Sequence, residues 1–291
     1  YYGTGRLWDY HREKQNDVFK TNNRSNGYIN CVDGTANIKL MMNWFSKMTI
    51  QKYHNQELGL GDIPELEAVY SAMESCYKRI TGSDFVKMQY NMGTGELEVA
   101  YKDELGGLMR ISINQLSDGY KSTISLVADI AYRMAVLNPQ LLGNVCTETD
   151  GIVLIDEVDL HLHPTWQQRI LKDLTEIFPK VQFIVSTHAP SVISAVKSEN
   201  IVMLDDGDVY EPSGEIHGKD INTIISGVMH STERPMEIKE LFQQFYHSID
   251  MGDTEKAEQV LNILNDKIGN DDSEIAACNV KLKLLKFRRN K

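Results

Sequence analysis

The stretch "GIVLIDEVDLHLHP", residues 151–164, decides the fold that we predict for this chain. Its first five residues are apolar, and so short an apolar run is typical of a parallel strand covered on both faces. A second such run, "VQFIVSTH", stands at 181–188, and the segment 165–178 between them has the apolar spacing of an amphipathic helix. Strand, helix and strand in this order predict a right-handed crossover between parallel strands. The predicted fold class is therefore α/β.

Polar residues follow both predicted strands at the point where each strand ends. Asp156 and Glu157 end the first strand, and His188 ends the second. Because the carboxyl ends of parallel strands meet at the ligand-binding edge of an open sheet, we expect these three residues to lie close together. In a nucleotide hydrolase Asp156 would hold Mg²⁺, Glu157 would orient and deprotonate the attacking water, and His188 would contact the γ-phosphate. A solvated turn and a structural histidine are the alternatives.

The octet "LSDGYKST", residues 116–123, has the composition of a phosphate-binding loop without its pattern. The P-loop pattern is G-x-x-x-x-G-K-[ST], whereas here Tyr120 separates Gly119 from Lys121. The octet begins a helical pattern that Pro139 ends, so we place it at a helix N-terminus. Such a terminus can bind phosphate through its free amides, and a capping Ser117 without a ligand is the alternative.

The rest of the chain shows a helical pair, small antiparallel units and a helical tail. Residues 11–37 are predicted to be loop, and a hairpin is predicted at 200–212. Helices are predicted at 38–48, 63–80 and near 236–249, 253–268 and 273–288, and a three-stranded meander is predicted within 84–113. We divide the chain into an α/β domain, 1–232, and a helical subdomain, 233–291.

Composition and charge favour an ordinary globular protein. The 291 residues are 42% hydrophobic and 24% charged, and no apolar run approaches the eighteen residues of a membrane span. Four scattered cysteines indicate reduced thiols, so we expect a cytoplasmic protein with no membrane association. The net charge of −11 disfavours a surface that is basic throughout, although the chain ends in six basic residues without an acid after Ile275.

Three motifs in this order resemble the heads of ABC-type ATPases. "LSDGY" is similar to their signature motif, residues 151–164 to their Walker B strand and D-loop, and "FIVSTHAP", 183–190, to their switch-histidine strand. The resemblance implies a P-loop NTPase head of the RecF and SMC kind, with a parallel sheet flanked by helices. It also implies that Ser117 and Gly119 face the γ-phosphate of ATP bound to the opposite subunit, with Asp118 standing where many members have another glycine.

The resemblance narrows to the AAA ATPases of Septu and Septu-like retron defence systems. It rests on "YYGTGRLW" at the start, "GYINCVDGTANIKLMMNWF" at 27–45 and the three motifs, and it extends to about residue 230. It implies ATP and Mg²⁺ as cofactors and a homodimer or higher oligomer. The implied partners are the HNH nuclease PtuB and, in retron systems, a reverse transcriptase and its msDNA. The family places its P-loop upstream of Tyr1, so we expect an N-terminal segment that this numbering omits.

Other polar residues are open to two interpretations. His161 and His163 belong to the D-loop by resemblance, and a metal cluster with Asp159 is the less favoured interpretation. Arg6 is predicted to contact nucleotide phosphate or the dimer interface, with a structural salt bridge equally favoured. The acidic "DDGDVY", 205–210, is interpreted as a solvated turn rather than a nuclease site.

The function that we predict is an ATPase subunit that controls an associated HNH nuclease in phage defence. The alternative is a RecF- or SMC-like DNA-repair ATPase that binds DNA directly, and a third candidate, an OLD-like nuclease, would need a Toprim domain that the sequence does not show. The helical tail is the predicted docking surface for the nuclease. Its basic end is most simply a solvated helix face, with nucleic acid or an acidic partner as the alternative.

Overall fold

The computed structural model describes residues 1–7, 24–33, 38–103, 105–212, 214–229 and 234–289. The chain forms two compact units, unit 1 from Tyr1 to Gly218 and unit 2 from Lys219 to Lys291. The helices of unit 1 are α1 Ile38–Glu57, α2 Pro64–Thr81, α3 Asp118–Leu137, α4 Val145–Glu148, α5 Pro164–Gln167, α6 Ile170–Ile177 and α7 Pro190–Ile193. Its strands are β1 Val86–Asn91, β2 Glu96–Lys102, β3 Leu108–Ser112, β4 Gly151–Ile155, β5 Val181–Val185, β6 Met203–Asp205 and β7 Asp208–Tyr210.

Helix α3 is the centre of unit 1. Its residues are apolar on nearly every side, and most of them are buried, as expected for a helix enclosed by other elements. Helix α2 starts at Pro64 and is capped after Thr81 by Gly82, whose φ of 71° is the left-handed conformation that glycine adopts readily. The rings of Phe45 in α1 and Tyr70 in α2 stack at 5.5 Å, which supports the predicted pairing of these helices.

Two sheets confirm the strand predictions. Strands β1, β2 and β3 form the antiparallel meander, in that order. Strands β4 and β5 are parallel, with Ile155 opposite Val185, so the predicted parallel pairing is confirmed. The crossover segment forms two helices, α5 and α6, and Arg169 between them has a φ of −117°. At the other edge of β4, Tyr2 pairs in parallel with Ile155.

The prediction that β4 and β5 are covered on both faces is wrong for the described residues. Ile152, Leu154 and Ile184 are 64%, 43% and 48% exposed. Alternate residues of a strand point to opposite faces, and the described helices pack only against the face that carries Val153 and Ile155. The apolar composition of β4 and β5 therefore predicted more burial than the described residues show.

Unit 2 is helical and has a core of its own. Its helices are α8 Ile221–Gly227, α9 Met236–Asp250, α10 Thr254–Ile268 and α11 Ser273–Arg289. The last three lie where they were predicted, and their apolar faces meet around Phe245, Leu264 and Ile275, all fully buried. The boundary between the units lies after Gly218 rather than after 232, because α8 groups with unit 2. No helix in the described part of the chain is both long and apolar enough to cross a membrane.

Candidate functional site

The carboxyl edge of β4 and β5 brings the predicted acidic residues together with a serine. In the parallel register Ile155 lies opposite Val185, so Asp156 and Ser186 come next on each strand. The Ser186 hydroxyl donates a hydrogen bond to Asp156 Oδ1 and accepts one from the backbone N–H of Glu157 at 2.9 Å. One hydroxyl therefore holds both members of the acidic pair in place.

Ser186 was missed as a functional residue in the sequence. The position of Ser186 in the sequence could have indicated it. When two parallel strands pair from their first to their last residues, as β4 and β5 do, the residue after one strand lies beside the residue after the other. Backbone bonds strengthen this junction, since Ser186 N donates to Ile155 O at 3.0 Å and Val158 N donates to Ser186 O at 3.0 Å. The two strand ends are thus joined through both backbone and side chain.

Glu157 occupies a left-handed turn directly after β4. Its φ is 47°, a conformation that non-glycine residues adopt at a cost of roughly 1 kcal/mol or more. The turn is closed by Leu160 N, which donates to Glu157 O at 2.9 Å. The side chain is half-buried at the sheet edge, where a general base for water attack would have to stand.

A second link joins the segment of His188 to the D-loop. The hydroxyl of Thr187 donates to Asp159 Oδ1 and accepts a bond from Ala189 N at 3.0 Å. His188 itself is exposed beside this link. The carboxylate of Asp159 is therefore engaged in fixing the D-loop.

The oxygen ligands at this edge suit a magnesium ion that is bound together with a nucleotide. Mg²⁺ prefers oxygen ligands, and proteins hold it with one or two carboxylates while phosphates and water supply the rest. Asp156 provides such a carboxylate, and Ser186 keeps one of its oxygens in a fixed direction. Among the described residues no group of three or more His, Cys, Asp or Glu side chains could hold a metal, so the metal interpretation of His161 and His163 has no support there.

The predicted signature segment begins helix α3. Ser117 stands at the N-cap position, and its side chain accepts no cap hydrogen bond within the described helix. Ser117 and Asp118 are exposed, and Asp118 Oδ1 lies 3.5 Å from Lys121 Nζ. The first amides of a 20-residue helix carry partial positive charge, which favours an anion at this end.

Gly119, in the signature segment, packs against the D-loop of its own chain. It is buried, and a Cβ atom built on it would lie 2.7 Å from the backbone oxygen of His161 and 3.0 Å from the ring of Trp166. His161 has a φ of 63°, and the side chain of His163 accepts a bond from Thr165 N at 3.4 Å, which caps α5. Glycine is required here because the first turn of α3 and the backbone of the D-loop approach closely.

Arg6 has its backbone in the 3₁₀ helix Thr4–Leu7. Its predicted phosphate contact depends on a side chain that lies outside the described part of the structure. This interpretation therefore stays a prediction.

A buried polar network supports β4 from the side of α3. Asp129 is 1% exposed, and its Oδ2 accepts bonds of 2.7 Å from the Tyr2 hydroxyl and from Arg133 Nε. Burial raises the pKa of Tyr2 well above its ordinary value, so the phenol stays protonated and donates. Because Tyr2 O accepts from Asp156 N at 2.7 Å, the network reaches the acidic pair. In the sequence, Asp129 is an acidic residue within the apolar run of α3, and the sequence alone predicts no role for it.

The fold is α/β, and comparison with known families places the chain in the AAA class of P-loop ATPases. Residues 14–194 match the family described as "AAA domain, putative AbiEii toxin, Type IV TA system". Since the match covers more than half of the chain, the chain belongs to this family.

Curated relatives confirm the narrower resemblance drawn from the motifs. The chain is 36% identical over 178 residues to a retron Ec83 probable ATPase of Escherichia coli, a match that covers 60% of this chain and 32% of the relative. It is 34% identical over 160 residues to the Septu protein PtuA of Bacillus thuringiensis, with 50% and 39% covered. The matched part thus spans less than half of either relative. A solved SMC ATPase chain gives a TM-score of 0.35 at 20% identity, over 50% of this chain and 84% of the other, which is too low to support an argument.

Proposed function

We propose that this protein binds and hydrolyses ATP in an anti-phage defence complex, pairs with a second copy to complete its ATP sites, and controls an HNH nuclease. The observation that carries the proposal is the bridged acidic pair, Asp156 and Glu157, at the carboxyl edge of a parallel sheet in an AAA-family chain. The names of the relatives support the defence role, because one is named a retron probable ATPase and another a Septu protein.

Each residue of the edge has a distinct task in this proposal. Asp156 holds Mg²⁺, which neutralises charge on the transferred phosphoryl group when bound. Glu157 takes the proton of the attacking water, and the Ser186 bond to its amide fixes the turn that carries it. His188 contacts the γ-phosphate from the neighbouring strand. Ser117 and the α3 amides close over the phosphate of the partner copy.

The first experiment tests the general base. Replacing Glu157 by Gln in the full-length protein should lower ATP turnover by roughly 10²- to 10⁴-fold, the usual contribution of a general base. ATP binding should persist, because the amide keeps the shape of the side chain. Glu57→Gln, at the exposed end of α1, is the matched control and should hydrolyse ATP normally. Normal turnover in Glu157→Gln would refute the assignment.

The second experiment tests the composite site. Ser117→Arg and Glu157→Gln should each be inactive alone, since every site lacks one half. In their mixture, half of the dimers combine one chain of each kind and carry one intact site, so activity should return to about a quarter of wild type. A mixture that stays inactive, although exchange of subunits is demonstrated, would show that the two halves do not meet between copies.

The third experiment concerns the nuclease. Deleting the residues after 235 should abolish co-purification of the HNH nuclease with the protein, because unit 2 is the proposed docking part. Retained binding would refute the docking role without affecting the ATP site.

A further inference from the structure

Helix α11 carries a second apolar stripe that its own unit does not use. Ile275, Cys278 and Leu282 point into the core of unit 2. On the opposite side Val280, Leu284 and Phe287 are 58%, 58% and 76% exposed, and the small Ala277 is exposed as well. We call Ala277, Val280, Leu284 and Phe287 the outer stripe.

The outer stripe has the spacing of a coiled-coil seam. Its members are separated by three, four and three residues, which is the alternation of positions a and d in a heptad. Isolated exposed apolar residues are ordinary, whereas three large ones in one row along about 10 Å of helix form a surface that another helix fits. The stripe therefore indicates a helix as its occupant.

The flanks of the stripe are basic. With Ala277 at position a, Lys281 occupies position e and Lys283 position g, and both are exposed. Lys281 Nζ lies 4.4 Å from the ring centroid of Tyr246 in α9. Glu274 is the single acidic residue in the sequence of α11. Positions e and g select partners in coiled coils through charge pairs.

This charge pattern excludes a second copy of α11 as the occupant. Pairing two copies in either direction would set the basic e and g residues against one another, because Arg288 is the next e position. A membrane surface would need a broader apolar face than three large residues beside a helix whose other side is already packed. Nucleic acid would bind through the lysines and would leave the apolar side chains of the outer stripe exposed to water.

We propose that the outer stripe binds a partner helix with apolar a and d positions and acidic e and g positions. This deepens the docking part of the proposed function, since it names the surface on unit 2 and the chemistry of the segment that the nuclease subunit presents to it. It does not depend on the ATP site.

The test uses the full-length protein and two synthetic probes. Both are three-heptad peptides with Leu at a and d, one with Glu and the other with Lys at e and g. The Glu peptide should bind, measured by fluorescence anisotropy, and the Lys peptide should not. Leu284→Glu with Phe287→Glu should weaken binding of the Glu peptide by about tenfold or more, because it sets carboxylates into the seam.

Ile263→Glu is the matched control, because Ile263 is 44% exposed on α10 outside the stripe, and it should bind the Glu peptide as wild type does. A thermal unfolding curve checks that each variant is folded. Equal affinity of the stripe variant and wild type, or equal binding of both peptides, would overturn the proposal. So would stripe-dependent binding to vesicles of anionic and neutral phospholipid without binding of the Glu peptide. If the nuclease co-purifies with the stripe variant as with wild type, it docks elsewhere, and the ATP-site proposal is unaffected.

Discussion

Replacing Gly119 by Ala tests whether the signature segment and the D-loop are held together in one chain. The new Cβ would stand 2.7 Å from His161 O and 3.0 Å from the Trp166 ring. The first distance is about 0.7 Å short of ordinary van der Waals contact, and the obstacle is a backbone atom that cannot rotate away. Overpacking of this kind costs about 1–3 kcal/mol, against a gain of up to about 1 kcal/mol from the helix preference of alanine.

We therefore expect Gly119→Ala to lower the free energy of unfolding by about 1–2 kcal/mol. Urea unfolding followed by tryptophan fluorescence measures it, and Trp166 reports on the contact directly. Gly227→Ala is the control, because Gly227 also lies in a terminal turn of a helix, the last turn of α8, but has no heavy atom within 4 Å of its Cβ position. If the free energies of unfolding of the two variants differed by less than about 0.5 kcal/mol, the close approach of the start of α3 to the D-loop would be wrong.

Two further predictions concern other bonds of the structure. Thr187→Val removes the hydroxyl that bonds Asp159 and should lower ATP turnover more than ATP affinity. Thr187→Ser keeps the hydroxyl and should retain turnover. Equal turnover in the two variants would contradict a role for the bond between Thr187 and Asp159. In unit 2, hydrogen bonds from Arg234 lower the pKa of Asp272 below its ordinary value of 3.8, so their stabilisation is present above that pH and lost as the pH falls through the lowered pKa. Arg234→Gln should lower the free energy of unfolding by less than about 1 kcal/mol at pH 7, measured by urea unfolding followed by circular dichroism. The difference from wild type should shrink at pH 3. A difference that grows on acidification would refute the predicted direction of the pH dependence.

Elements with strong local signals were predicted well from the sequence. Helix α2 is marked by Pro64 at its start and a glycine after its end, and α3 ends before Pro139. The parallel pair β4 and β5 follows from two short apolar runs around an amphipathic segment. Each of these signals acts within a few residues, so no knowledge of distant contacts was needed.

The features that escaped prediction depend on contacts distant in sequence. Ser186 gains its role only from the residue opposite it in the register, and Asp129 from a tyrosine 127 positions away. The exposed face of β4 and β5 was missed because an apolar strand has the same composition whether one or both faces are covered. The roles of the site residues, from Arg6 to His188, stay predictions, and the proposed experiments address those of Ser117 and Glu157.

Helix α3 is tied to the acidic edge at two places, and this constrains how the edge can respond to a nucleotide. At its first turn Gly119 lies against His161 of the D-loop, and in its middle Asp129 bonds Tyr2, whose carbonyl accepts the amide of Asp156. A displacement of the helix tip on phosphate binding must therefore move the D-loop with it, because no gap separates them. The Tyr2 bonds hold β4 to the same helix. In the dimer that we propose, the signature segment, the D-loop and the acidic pair of one chain would therefore meet the partner copy as one body.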